Sequence, residues 1–209
     1  MKSVTRRRSI LPVGIIASAL CLLPEIAAAH PGHYHPPGEE DEFDALSQGF
    51  LHPLGGLDHL VLAVAIGWFA FAWKGGKARI PALFFLMSLV IGSLIGHSFH
   101  VGHLLEVGLS LTLMISGSAF LSDKPIRASY VATASAACGF LHGFAHGAEA
   151  TSDGGFAAYA CGFLLSTTAL VSTGLALGFG TAKVRDTIAP RFAGLAIVVF
   201  GTISLFQAI

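Results

Sequence analysis

The sequence predicts an all-α, polytopic membrane protein with six transmembrane helices behind a cleaved signal peptide. Three observations carry that expectation. Of 209 residues, 54% are hydrophobic and 11% charged, against roughly a quarter charged in a soluble domain. So little polar surface cannot cover a globule in water, and lipid has to be the solvent. Six apolar stretches follow one another, most of them near the roughly 20 residues that a helix needs to cross about 30 Å of hydrocarbon. Finally, the connections between these stretches are alternately basic and bare of Lys and Arg.

The chain opens on a basic region (Lys2, Arg6, Arg7, Arg8) and an apolar run from Ile10 to Leu23, followed by Ala27-Ala28-Ala29. That order fits a secretory signal over residues 1–29, cleaved after a run of small residues; an uncleaved first helix is the alternative. Cleavage makes His30 the mature N-terminus. Residues 30–48 are acidic, carry His33 and His35 as well as His30, and lack the apolar content of a core. They read as an extracytoplasmic arm, and residues 49–209 as the transmembrane domain.

Within that domain the spans fall near residues 50–73, 80–99, 104–121, 129–149, 157–180 and 189–208. Lys74-Gly75-Gly76-Lys77, Ser122-Asp123-Lys124-Pro125 and Ser152-Asp153-Gly154-Gly155 mark three of the breaks. The boundary between Ser98 and His103 has no such charge. The chain's 12 Lys and Arg divide cleanly. Four precede the signal's apolar run, Lys74, Lys77 and Arg79 follow the first span, Lys124 and Arg127 the third, and Lys183, Arg185 and Arg191 the fifth. Under the positive-inside rule, the mature N-terminus, the even-numbered loops and the C-terminus face outward. Trp68, Phe69, Phe71 and Trp73 then form an aromatic belt at the inner end of the first span. Glycines recur every four residues (Gly92 and Gly96; Gly139, Gly143 and Gly147; Gly174 and Gly178), a spacing that lets membrane helices approach closely.

This topology puts all 10 histidines on the outer side. His52, Asp58 and His59 fall in the outer half of the first span, and His142, His146 and Glu149 at the outer end of the fourth. His97, His100, His103 and Glu106 straddle the loop between the second and third spans. On a continuous helix His52 and His59 share a face two turns apart, with Asp58 about 100° round, while His142, His146 and Glu149 share another. Imidazoles and carboxylates arranged this way are ligands for a divalent first-row metal, and an acidic group inside a span is otherwise costly, roughly 2.5–3.5 kcal/mol at mid-membrane. Asp58 can also serve by orienting an imidazole rather than binding metal. The alternative for any one of these residues is an interfacial or hydrogen-bonded side chain; the two clusters together argue for metal. Cys138, one turn from His142, reads as a packed core residue or a deep ligand. The three cysteines, Cys21, Cys138 and Cys161, contain no CxxC spacing and build neither a disulfide framework nor a thiolate zinc site. The arm histidines His30, His33 and His35 suit metal capture, with a solvated tail as the alternative.

The stretches His52-Pro53-Leu54-Gly55-Gly56-Leu57-Asp58-His59 and Leu141-His142-Gly143-Phe144-Ala145-His146-Gly147-Ala148-Glu149 resemble the two signatures of the HupE/UreJ family of bacterial nickel permeases. The one departure is Leu141, where the family pattern has phenylalanine directly before the histidine; Phe140 stands one place earlier. The resemblance covers nearly the whole chain and implies uptake of nickel or cobalt across the inner membrane for a metalloenzyme such as hydrogenase or urease. It makes His52, Asp58, His59, His142, His146 and Glu149 the metal-handling positions. The ion is then cargo; no prosthetic group and no enzymatic activity are expected. The zero net charge offers no patch for nucleic acid, so the expected partners are the metal ion and the bilayer, with a homo-oligomer compatible. No GxxxxGK[ST] motif supplies ATP hydrolysis. From another class, an intramembrane zinc-dependent hydrolase fits a HxxxH face, although no HExxH is present, and a b-type haem protein would set its paired histidines on opposing helices.

Overall fold

The computed structural model describes residues 42–72, 79–99, 102–150, 155–183 and 188–209. The predicted signal peptide and the arm histidines His30, His33 and His35 lie outside them. The described residues form seven α-helices and no strand: α1 (Glu42–Gly55), α2 (Leu57–Ala72), α3 (Arg79–Gly96), α4 (His103–Leu121), α5 (Ala128–Glu149), α6 (Phe156–Lys183) and α7 (Ile188–Ala208). This is a multi-pass membrane architecture. Three helices have spans long and apolar enough to cross a bilayer, Leu104–Leu121, Phe156–Lys183 and Ile188–Ala208. The pair α1 and α2 passes as a fourth, bent span. Helix α3 is apolar but shorter. Helix α5 has 22 residues but is rich in Ala and Gly with a single Leu and a single Val, and it buries Cys138, Gly139, His142, Gly143, His146 and Gly147 against its neighbours.

The stretch expected as one straight helix over residues 50–73 is instead two, bent by 78°. Pro53 lies inside α1 and brings no amide hydrogen to the helix ladder, while Gly55 and Gly56 tolerate the turn that follows. The chain stays hydrogen-bonded through the bend: Gly56 N–H donates to the His52 carbonyl at 3.3 Å and Leu60 N–H to the Gly56 carbonyl at 3.0 Å. Helix formation also begins earlier than the expected arm boundary at residue 48. Glu42 and Asp44 occupy the first turn of α1, where acidic groups complement the helix dipole, and Ala45, Gly49 and Pro53 bury one face at four-residue intervals.

The helices assemble as close pairs: α3 along α5, α4 along α7, and α6 along both α1 and α2. Glycine makes the α3–α5 contact. A Cβ built on Gly139, Gly143 or Gly147 would lie 2.1, 2.0 and 2.1 Å from the carbonyl oxygens of Phe85, Leu89 and Ser93, so backbone meets backbone there and no side chain fits. Gly92 and Gly96 answer from α3, against the carbonyls of Phe140 and Phe144. The rising order of these partners makes α3 and α5 parallel. Helices α2 and α6 are parallel too, with Gly67 on Val171, Gly174 on Val64 and Gly178 on Trp68. Helices α4 and α7 run antiparallel, with Gly117 against Gly194 and Gly201 against Leu113.

Each helix then turns its remaining apolar residues outward. On α7, Phe192, Leu195, Val199, Ile203 and Phe206 are exposed at helical spacing, as are Leu83, Met87, Ile91 and Leu94 on α3. Such stripes suit lipid. The core they surround is a cluster including Leu62, Phe85, Leu89, Leu113, Phe163 and Val171.

Candidate metal centre

The bend at Gly56 and the glycine face of α5 together build the site. On α5, the histidine face lies about 100° round from the glycine face. Docking the glycines on α3 therefore fixes the rotation that aims His142 and His146 at the junction of α1 and α2. Both rings are buried, 2% and 1% exposed. Four imidazoles form one chain of contacts: His52 to His146, 4.8 Å between ring centres; His146 to His59, 4.3 Å; His59 to His142, 4.9 Å.

Around that chain the ligand atoms sort into two trios. His52, His146 and Glu149 offer one set, Asp58, His59 and His142 another, and within each set the atoms lie within 4.8 Å of one another. The sequence led to the expectation that His142, His146 and Glu149 would converge on one cation from a common face. The structure divides them between two levels, because the four residues from His142 to His146 rise about 6 Å along α5, and the bend brings His52 and His59 to 6.1 Å between ring centres, each against a different α5 histidine. The His52–Glu149 trio is the more open one: His52 Nε2 lies 2.9 Å from Glu149 Oε2, with those side chains 36% and 46% exposed. In the deeper trio His59 is 11% exposed and Asp58 31%.

Hydrogen bonds fix the tautomers of two rings. His59 Nδ1 lies 3.0 Å from Asp58 Oδ1 and His142 Nδ1 3.1 Å from the Cys138 carbonyl. Both partners are acceptors, so each Nδ1 carries the proton, and in the neutral rings that bind metal each Nε2 presents a bare lone pair. Asp58 thereby orients His59, as carboxylates orient metal-binding imidazoles. The freed atoms, His59 Nε2 and His142 Nε2, are buried and unpartnered, as is His146 Nδ1. A buried polar atom with no partner costs about 1–3 kcal/mol, and a cation is a fitting partner for these three, two of them in the deeper trio and one in the more open trio. Electrostatics agree. Two carboxylates match a dication, and the negative C-terminal ends of α1 and α5 point here, while Asp58 offsets the positive N-terminal end of α2, in whose first turn it lies. Broken membrane helices bind cations by the same device.

Helix α6 contributes what sequence reasoning missed. Phe163 stacks on His146 at 4.8 Å, Tyr159 sets its ring edge-on to His52 at 6.1 Å, and the buried Tyr159 and Ser166 hydroxyls have no partner. The only signal for this was polar Tyr159 and Ser166 at i and i+7 with Phe163 between them, which marks one face without saying what it meets. His97 does not join either trio. It stacks on Phe156 at 4.0 Å with a buried, unpartnered Nδ1. The side chains of His100 and His103 lie outside the described residues. Glu106 sits in the first turn of α4, apart from both trios.

Comparison with known proteins identifies a family. The family described as HupE / UreJ protein matches residues 18–204. Protein HupE of Rhizobium leguminosarum bv. viciae is 30% identical over an alignment of 189 residues that covers 88% of this chain and 92% of that protein. No solved structure matches the chain.

Proposed function

The chain belongs to the HupE/UreJ family, a family of nickel and cobalt transport, and from that premise we propose that it is a divalent-metal permease bringing nickel, or cobalt, into the cell across the inner membrane. The observation that carries this reading is the chain of four imidazoles with three unpartnered ring nitrogens between two carboxylates. The more open trio receives the ion through His52 and Glu149, with His146 buried behind them. The deeper trio of Asp58, His59 and His142 takes it next, and the 4.3 Å contact between His146 and His59 lets it pass without regaining a full water shell. The arm histidines His30, His33 and His35 collect metal ahead of the site.

The same proposal gives the protein six spans with a cleaved signal peptide and both mature termini outside. The helix directions are consistent with it: six alternating crossings require α2 parallel to α6, α3 parallel to α5 and α4 antiparallel to α7, the directions found. Inward movement needs no nucleotide. A membrane potential favours entry of a dication by about 4.6 kcal/mol per 100 mV, at about 2.3 kcal/mol per charge. Imidazole with carboxylate suits Ni(II), Co(II) and Zn(II) alike, so the preference for nickel or cobalt comes from the family, while the absence of clustered thiolates argues against Cu(I). Supply of a hydrogenase or urease is the use that the family suggests.

The test is radioactive nickel uptake by cells expressing the wild type and His52→Ala, His146→Ala and Glu149→Ala at matched levels, with cobalt and zinc as competitors. Uptake above empty-vector cells is expected for the wild type and at least tenfold less for each variant, with cobalt competing better than zinc. Wild-type cells that take up no more metal than empty-vector cells sink the proposal.

A further inference from the structure

The deeper trio ends the run of ligands, yet an ion that reaches it still has the inner half of the membrane to cross. In that half the structure holds a cleft of about 330 Å³ between α2, α4 and α5, open on one side past the exposed Ile115 and Tyr130. Its upper end is Cys138, one turn from His142. Its lower end is Tyr130, Ile126 and Phe120, beside the loop that carries Lys124 and Arg127 on the side that the positive-inside rule makes cytoplasmic. From Cys138 to Tyr130 is about 12 Å along α5.

The cavity exists because of how the helices pair. Helices α2 and α5 meet at His59 and His142 but do not pack along one another, since each is docked on a different partner. Below the imidazoles they leave a gap that the small side chains of Ala65, Ala134 and Ser135 do not fill. Most of its wall is apolar, and the polar groups are few: the hydroxyls of Ser116 and Ser135 and the Cys138 thiol, with Cys138 Sγ 3.8 Å from Ser116 Oγ. Six waters take roughly 180 Å³ at about 30 Å³ each, so a dication with a full first shell fits. The wall carries no imidazole or carboxylate, and release requires such a place, where nothing holds the ion.

We infer that this cavity is the water-filled exit vestibule, in which a metal ion leaving His142 is rehydrated and released to the cytoplasm. The inference rests on the permease reading and adds to it the route past the ligands.

Two measurements test it. In a background with Cys21, Cys138 and Cys161 replaced by Ala, Ser135→Cys is exposed to a membrane-impermeant methanethiosulfonate. Labelling in inverted vesicles and not in right-side-out cells is expected; no labelling from either side means a dry or lipid-filled cavity and overturns the vestibule. In the otherwise native chain, Ala134→Trp fills the space beneath the site. Purified Ala134→Trp is expected to bind nickel as the wild type does while uptake falls at least tenfold. Wild-type uptake with undiminished Ala134→Trp uptake overturns the vestibule alone, whereas absence of wild-type uptake overturns the permease itself. If Ala134→Trp does not fold, the Ser135→Cys labelling decides.

Discussion

At the scale of single residues, the centre depends on which nitrogen of each ring is free. His59 and His142 each spend Nδ1 on an oxygen acceptor and present Nε2. The two acceptors differ in kind. The Cys138 carbonyl is backbone and cannot be removed by substitution, but the Asp58 carboxylate can. Asp58→Asn keeps the shape, removes the charge, and allows the amide to donate where a carboxylate can only accept. Losing such an orienting carboxylate costs typically 10–100-fold in metal affinity. Nickel binding to purified Asp58→Asn, measured by calorimetry, is expected to weaken by that factor, with the helical content unchanged by circular dichroism. Affinity equal to wild type would show that Asp58 neither orients nor binds.

The elements hold these residues through two glycine-dependent features, and each predicts a different kind of failure. At the bend, a Cβ on Gly56 would lie 2.8 Å from His59 Nδ1 and 3.1 Å from Asp58 Oδ1. Gly56→Ala therefore strains the His59–Asp58 pair and not the scaffold. Uptake is expected to fall at least tenfold, while thermal unfolding in detergent stays within a few degrees of wild type. Gly143 is the opposite case, because its missing Cβ would lie 2.0 Å from the Leu89 backbone oxygen, and backbone cannot swing aside. Gly143→Ala is expected to destabilise the α3–α5 pair by about 1–3 kcal/mol, the usual cost of overpacking, read as an earlier unfolding midpoint. An unchanged midpoint would mean that α3 and α5 are not in this contact. The sequence made the glycine periods visible but not their partners, because a spacing shows which face is small without showing what lies against it. The bend was hidden for a related reason: hydropathy runs unbroken from Phe50 to Trp73, although Pro53, Gly55 and Gly56 carried the signal for a break. Helices α3 to α7 were legible as separate elements because turn residues or charges bound most of them.

Across the whole molecule, the residues of the site were readable and its division was not. Six chemistry-bearing residues in two stretches stood out because imidazole and carboxylate are rare inside apolar helices. That they form two trios at different depths depends on the relative heights of α1, α2 and α5, which only tertiary packing sets. The backing by Tyr159, Phe163 and Ser166 of α6, and the cavity below Cys138, arise the same way, from helices docked on different partners. On the proposed function, transport is a property of this one chain, with the imidazole chain as the obligatory route and the membrane potential as a sufficient drive. The measurement that tests this most directly is radioactive nickel uptake into proteoliposomes of purified protein under an imposed potential, negative on the cytoplasmic side, with wild type and His146→Ala compared. The account predicts accumulation by the wild type that grows with the potential and is abolished in His146→Ala. Equal uptake by the two proteins, or none by a wild type that binds nickel, would contradict it.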